Sequence, residues 1–216
     1  MRTNQEYKNE ALAALKGKWA PSVVATIVLF VMVFAGVVPV AVIEALANPD
    51  AGSMSMGTLL AIYGFTLLIY YPLSMVGYCN AFKVLHQTGD DKVTSNMFSF
   101  TFEGYLKNLG FTLLYILFVF LWALLFYIPG IVKGIAYSLS PFILKDNPEL
   151  SANEAINLSQ KMMKGHKFDL FFLMLSFIGW IILGAFTLGI AYMWLVPYMS
   201  ATLAAFYQDV KKEYIK

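Results

Sequence analysis

The sequence predicts an all-α membrane protein with six transmembrane helices in three helical hairpins. Each hairpin is preceded by an amphipathic helix at the cytoplasmic interface. Three observations predict this class. The 216-residue chain is 59% hydrophobic and only 13% charged, against about 45–50% apolar and about 25% charged in soluble domains. Its apolar residues gather into six runs. Fourteen of its fifteen Lys and Arg residues fall in four segments that this fold places on one side, matching the excess of basic residues in cytoplasmic loops.

The apolar runs are 21–46, 58–82, 109–128, 131–144, 170–188 and 190–206. A helix rises 1.5 Å per residue, so about 20 residues cross a hydrocarbon core of roughly 30 Å. Five runs meet or approach that length. The fourth is short, carries Lys133 near its start and includes Pro141. If it were re-entrant, every later segment would change sides, exporting Lys145, Lys161, Lys164, Lys167, Lys211, Lys212 and Lys216 against the positive-inside bias. Six spans misplace only Lys133, which would snorkel to the outer interface. The other basic groups are Arg2, Lys8, Lys16 and Lys18 at the N-terminus, and Lys83, Lys92 and Lys107 in the first inward loop. Both termini are thus expected in the cytoplasm, with residues 1–216 forming one membrane domain. Ala45-Leu46-Ala47 imitates a signal-cleavage site, but the run before it is too long for a signal core and its N-terminal preface is amphipathic.

Each inward segment before an odd-numbered span reads as a short helical elbow. Thr3-Asn4-Gln5-Glu6 has capping-box form, and Tyr7, Ala11, Ala14 and Leu15 follow at helical spacing, with Trp19 just beyond. Ser151-Ala152-Asn153-Glu154 repeats that form. Ala152, Ala155, Ile156, Ser159, Met162 and Met163 then make one stripe, and Gly165 offers a stop. The second elbow has Phe98, Phe102, Tyr105 and Leu106 on one face but no capping box. Letters repeat as well. Asn9-Glu10-Ala11 leads to Lys16-Gly17-Lys18-Trp19, and Asn153-Glu154-Ala155 leads to Lys164-Gly165-His166-Lys167-Phe168. The even-numbered spans carry Tyr71-Pro72, Pro141-Phe142 and Pro197-Tyr198; membrane helices tolerate proline when neighbours satisfy the freed carbonyl. Three repeat units result, about 1–82, 83–145 and 146–210. The elbows read chiefly as anchors, with apolar faces in the headgroup boundary and lysines on anionic lipid, and alternatively as partner or lipid recognition surfaces.

No catalytic constellation is visible. His86 and His166 lie in different loops, and neither belongs to a paired-histidine metal pattern. Asp90-Asp91 reads as a solvated loop before a magnesium site. The glycines form no phosphate-binding fingerprint, and Cys79 is the single cysteine. No cofactor or metal is expected, and no enzyme activity. A net charge of +2 is too small to suggest nucleic acid. Glu44 and Lys133 are placed towards outer ends, leaving no charge at mid-membrane and arguing against an ion-coupled pump. Hydroxyls such as Thr66, Ser74, Thr112 and Thr202 are expected to bond across helices or to their own backbone. Gly130 and Gly134, and Ala201 and Ala205, have spacings that permit close helix contact. The aromatic residues read as interfacial belt and core, with an aromatic ligand cage as the alternative.

The densest polar patch runs from Lys145 to Asp169. Its candidate binding residues are Lys161, Lys164, His166 and Lys167, which could donate to an anionic headgroup or partner. The plainer reading is a capped elbow carrying positive-inside charge.

The run from Ser140-Pro141-Phe142 through Lys145-Asp146-Asn147-Pro148-Glu149 to Glu154-Ala155-Ile156 resembles a bacterial integral-membrane family known as domain of unknown function 975. Met162-Met163-Lys164-Gly165-His166-Lys167, Ser176-Phe177-Ile178-Gly179-Trp180, Pro197-Tyr198 and Ala204-Ala205-Phe206-Tyr207 continue the likeness, and Leu15-Lys16-Gly17-Lys18-Trp19 is its best match in the N-terminal half. The resemblance implies a multi-span bacterial inner-membrane protein and carries no catalytic residues. The elbow-and-hairpin plan is also distantly similar to the membrane domain ahead of some glycerophosphodiester phosphodiesterases. The expected role is a non-enzymatic scaffold or accessory acting through cytoplasmic elbows. The alternative is a transporter or channel for a lipid or small amphiphile. Expected partners are membrane lipids, including anionic headgroups, and a membrane-protein partner or second copy.

Overall fold

Thr3 and Ser151 start helices as their sequences predict. Thr3 Oγ1 accepts from the Glu6 N–H at 3.3 Å while the Glu6 carboxylate accepts from the Thr3 N–H at 2.6 Å, closing the capping box of α1 (Asn4–Leu15). Ser151 and Glu154 close the same box on α9 (Ala152–Met162). The structure is a computed structural model describing residues 2–49, 53–125 and 127–215, all-helical with no strand among them; Lys216 lies outside the described residues.

Four stretches are long and apolar enough to cross a membrane. They are α2 (Trp19–Ala47), the continuous helix Met56–Thr88, α6 (Tyr105–Leu125) over Tyr105–Leu124, and Lys167–Phe186. The second comprises α3 (Met56–Phe65), two π-helical segments (Thr66–Tyr70 and Leu73–Tyr78) and α4 (Cys79–Thr88). The fourth comprises α10 (Lys167–Leu175) and α11 (Ile178–Phe186). The other two predicted runs differ. The fourth run breaks into α7 (Tyr127–Tyr137) and α8 (Ser140–Asp146), because Pro141 has no N–H to continue the ladder. The sixth belongs to α12 (Tyr192–Ile215), whose second half is polar and whose Ala201, Thr202, Ala204, Ala205 and Phe206 are buried in the centre of the molecule.

The chain doubles back three times. Glu44 near the end of α2 accepts from the Ser55 N–H and the Thr58 hydroxyl at the start of α3, while Thr26 and Tyr78 share a hydroxyl contact of 2.6 Å further down. Gly130 of α7 sits against the backbone of Ala123 in α6, so one member of the predicted small-residue pair is used within this hairpin. In the last pair Tyr192 donates to the Ile181 carbonyl at 2.9 Å and the Phe177 and Tyr198 rings meet edge-on.

Proline is accommodated as membrane helices require. The acceptor four residues before Pro72 is the Leu68 carbonyl, which takes the Tyr105 hydroxyl instead. The equivalent acceptor before Pro141 is the Tyr137 carbonyl, which takes the Ser140 hydroxyl at 2.5 Å. Thr66, Ser74, Thr112 and Thr202 all bond their own helix backbone.

Two of the elbows need correction. Tyr7, Ala11 and Leu15 of α1 are buried, as are Ala155, Ile156, Ser159, Met162 and Met163 in and just after α9. Their apolar stripes therefore face other helices of the same chain, where Tyr7 meets Phe206 and Ser159 donates to the Ala136 carbonyl. On α5 (Val93–Phe102) the buried face is Val93, Met97 and Thr101. The predicted face is turned outward, with Phe102 and Leu106 exposed and Phe98, Phe102 and Tyr105 stacked in a ladder. Gly77 sets this orientation, since any side chain there would collide with Thr101 Oγ1 and the Met97 carbonyl.

A shared joint follows each elbow. Gly17, Gly104 and Gly165 stand between α1 and α2, α5 and α6, and α9 and α10, with φ of +75°, +68° and +96° and open space around each. The left-handed backbone costs other residues roughly 1–2 kcal/mol, so the same residue type makes the same turn three times.

Candidate functional site

The open ends of all three hairpins lie at one pole. Gly89, after α4, approaches Lys18, before α2. Lys107 donates to the Pro148 carbonyl and Lys145 to the Glu103 carbonyl, joining the two ends of the α6–α8 hairpin. His166 reaches Glu213 at 3.5 Å, joining α10 to α12. This amends the sequence argument about sidedness. The middle hairpin returns to the end it left whatever depth its tip reaches, so later segments keep their side even if the fourth run is only partly crossing.

At the centre of this pole Asp146 gathers groups from the last helix of each hairpin. One carboxylate oxygen pairs with Lys83 of α4; the other accepts from Lys211 at 2.5 Å and from the Tyr207 hydroxyl at 2.7 Å, both on α12. Burial would raise the Asp146 pKa, but the hydrogen bonds from Lys211, Lys83 and Tyr207 outweigh it and hold the carboxyl below its usual value. Beside it the Asn80 amide donates to the Pro141 carbonyl at 2.9 Å, a second tie between α4 and α8. A second network fastens α1. Glu10 pairs with Arg2 and with His86 at 3.1 Å, and Asp209 accepts the Tyr7 hydroxyl at 2.8 Å.

The four residues of the predicted patch have different surroundings. Lys161 and Lys164 are exposed and, among the described residues, pair with no carboxylate. His166 instead lies between Asp169 and Glu213, at 3.4 and 3.5 Å. Lys167 turns aside to an apolar groove with Ile131, Ile135 and Phe171. Lys133 is also placed differently. It donates to Gln160 Oε1 of α9 at 3.0 Å and lies 4.4 Å over the Trp122 ring, facing the third elbow and not an outer interface. Asp90 proves to be a turn group, accepting from the Lys92 N–H and the Asn96 amide ahead of α5. Among the described residues no three His, Cys, Asp or Glu side chains are grouped to hold a metal ion.

The sequence reading missed the Asp146 cluster because its partners come from distant parts of the chain. The available signal was Asp146 itself, an acid beside Lys145 at the inner end of a run.

No curated protein and no solved structure matches the chain, so the likeness to phosphodiesterase membrane domains finds no support. Residues 127–214, which span α7 to near the end of α12, are similar to the family described as Protein of unknown function (DUF975).

Proposed function

We propose that this is a bacterial inner-membrane protein of three elbow-and-hairpin units, six helical passes with both termini cytoplasmic, acting as a non-enzymatic scaffold. The observation that carries the reading is the Asp146 cluster, which ties the returning helices of all three units at the basic pole. A face cross-linked in this way presents Lys161, Lys164 and the other exposed basic groups in a fixed arrangement for anionic headgroups or a membrane-protein partner. Three further observations support it. The repeated glycine joint favours three equivalent units, the burial of α1 and α9 makes the elbows part of the bundle, and the basic residues collect at the pole that the positive-inside bias assigns to the cytoplasm.

The test is reconstitution into vesicles carrying a fluorescent-headgroup lipid, followed by reduction of outer-leaflet dye. A scaffold leaves the inner-leaflet signal as protected as in protein-free vesicles. Progressive loss of that protected signal would overturn the reading in favour of a lipid transporter.

A further inference from the structure

A groove of about 570 Å³ runs between α1 and the α11–α12 pair, within the range of roughly 300–1,000 Å³ common to small-ligand sites. Three of the chain's four tryptophans line it, Trp19, Trp180 and Trp194, together with Tyr198. Gln5 and Lys8 line it from α1, on a face adjoining the one that buries Tyr7 and Ala11.

The lining is one-sided in its chemistry. Lys8 is its one charged group and none of its residues is acidic, while the Gln5 amide donates one N–H to Asn9 Oδ1 at 2.9 Å and keeps a second. Lys8 Nζ donates to the Ser176 carbonyl at 2.8 Å and sits 4.3 Å over the Phe177 ring, but meets no carboxylate among the described residues. A half-buried ammonium with only neutral partners keeps unused donors and an uncompensated charge. Burial pulls its pKa down, a cost that a nearby anion would offset. The indole N–H groups of Trp180 and Trp194 also meet no acceptor among the described residues, although both side chains are half exposed in the groove.

We propose that this groove binds an anionic phospholipid, with Lys8 and Gln5 receiving the phosphate and an acyl chain lying against Trp180 and Trp194. Aromatic walls alone would equally suit a quaternary ammonium headgroup. Lys8 decides against that, because it repels a cation and no carboxylate is present to attract one. The indoles favour the boundary between headgroup and chain, which suits a lipid better than a free anion. The site is separate from the Lys161 and Lys164 surface and does not rest on the scaffold reading.

Tryptophan quenching in vesicles tests this, in a Trp122→Phe background so that the three groove indoles report. Brominated phosphatidylglycerol should quench more strongly than brominated phosphatidylcholine at equal bromine content. Lys8→Gln should lower that preference about fivefold, the weight of one basic group near a membrane surface, and Lys8→Arg should largely restore it. Lys92→Gln, at an exposed turn elsewhere, should leave it unchanged. Ala191→Phe fills the groove without touching Lys8 and should also reduce the preference. Equal quenching by the two lipids, or a preference surviving both Lys8→Gln and Ala191→Phe, would overturn the site. Loss of the preference in excess inorganic phosphate would overturn the lipid assignment in favour of a free anion.

Discussion

Lys83 and Asp146 form a buried ion pair that joins the inner ends of two hairpins, beside the Asn80 amide that donates to the Pro141 carbonyl. Lys83 is 5% exposed, so its charge depends on this partner. Removing one member of such a pair costs about 3–5 kcal/mol because the other charge stays buried and unpaired. Asp146→Asn should therefore lower thermal stability in detergent by that order. The double variant Lys83→Met with Asp146→Leu should recover most of the loss, since apolar residues can replace a buried pair without net cost. Lys211 is more exposed than Lys83, and Lys211→Gln should cost clearly less than Asp146→Asn. Thermal unfolding of the three variants beside the wild type checks the order.

The same carboxylate sets an acid response. Its pKa is held down in the folded protein, against about 3.9 when free. A depressed carboxylate stabilises fully above its unfolded value, and this stability disappears as pH falls through the folded value. The wild type should hold its melting temperature down to about pH 5 and then fall more steeply than Asp146→Asn, which lacks this titration. Parallel slopes from pH 5 to pH 3 would remove Asp146 as the cause.

The elbow joints predict a set of matched losses. Gly17, Gly104 and Gly165 have positive φ and no neighbour that an added methyl would strike. Alanine at each should cost about 1–2 kcal/mol from backbone conformation alone. Asparagine, which tolerates this conformation better, should cost less. Gly77→Ala should behave differently, because its methyl meets the Met97 carbonyl and Thr101, and asparagine there should be worse than alanine. Unfolding midpoints of the paired variants separate the two causes.

Much of this fold is legible in local sequence because its devices are local. Thr3 with Glu6 and Ser151 with Glu154 act within one turn, and Pro141 breaks its own helix beside Ser140. The inward face of α5 was not legible. In a chain whose outer surface is also apolar, Phe98 and Phe102 are no more inward by composition than Val93 and Met97, and the choice is made by the space at Gly77. The destination of Lys133 was hidden for a similar reason, since position along a run does not reveal that Gln160 and Trp122 await it. Asp146 was visible only as one acid of a mixed polar patch, because Lys83, Tyr207 and Lys211 join it through tertiary packing. The groove tryptophans read as belt residues, and only the fold brings Trp19 beside Trp180 and Trp194.

The proposed topology gives three hairpins one cytoplasmic pole, with their tips directed to the other side of the membrane. Single cysteines at Ser53, Leu188 and Gln87, all exposed, test it in a Cys79→Ala background with a membrane-impermeant thiol reagent on intact cells and on inverted vesicles. In that topology Ser53 and Leu188 react from outside the cell and Gln87 reacts only in inverted vesicles. Labelling of Ser53 and Gln87 from the same side would contradict it.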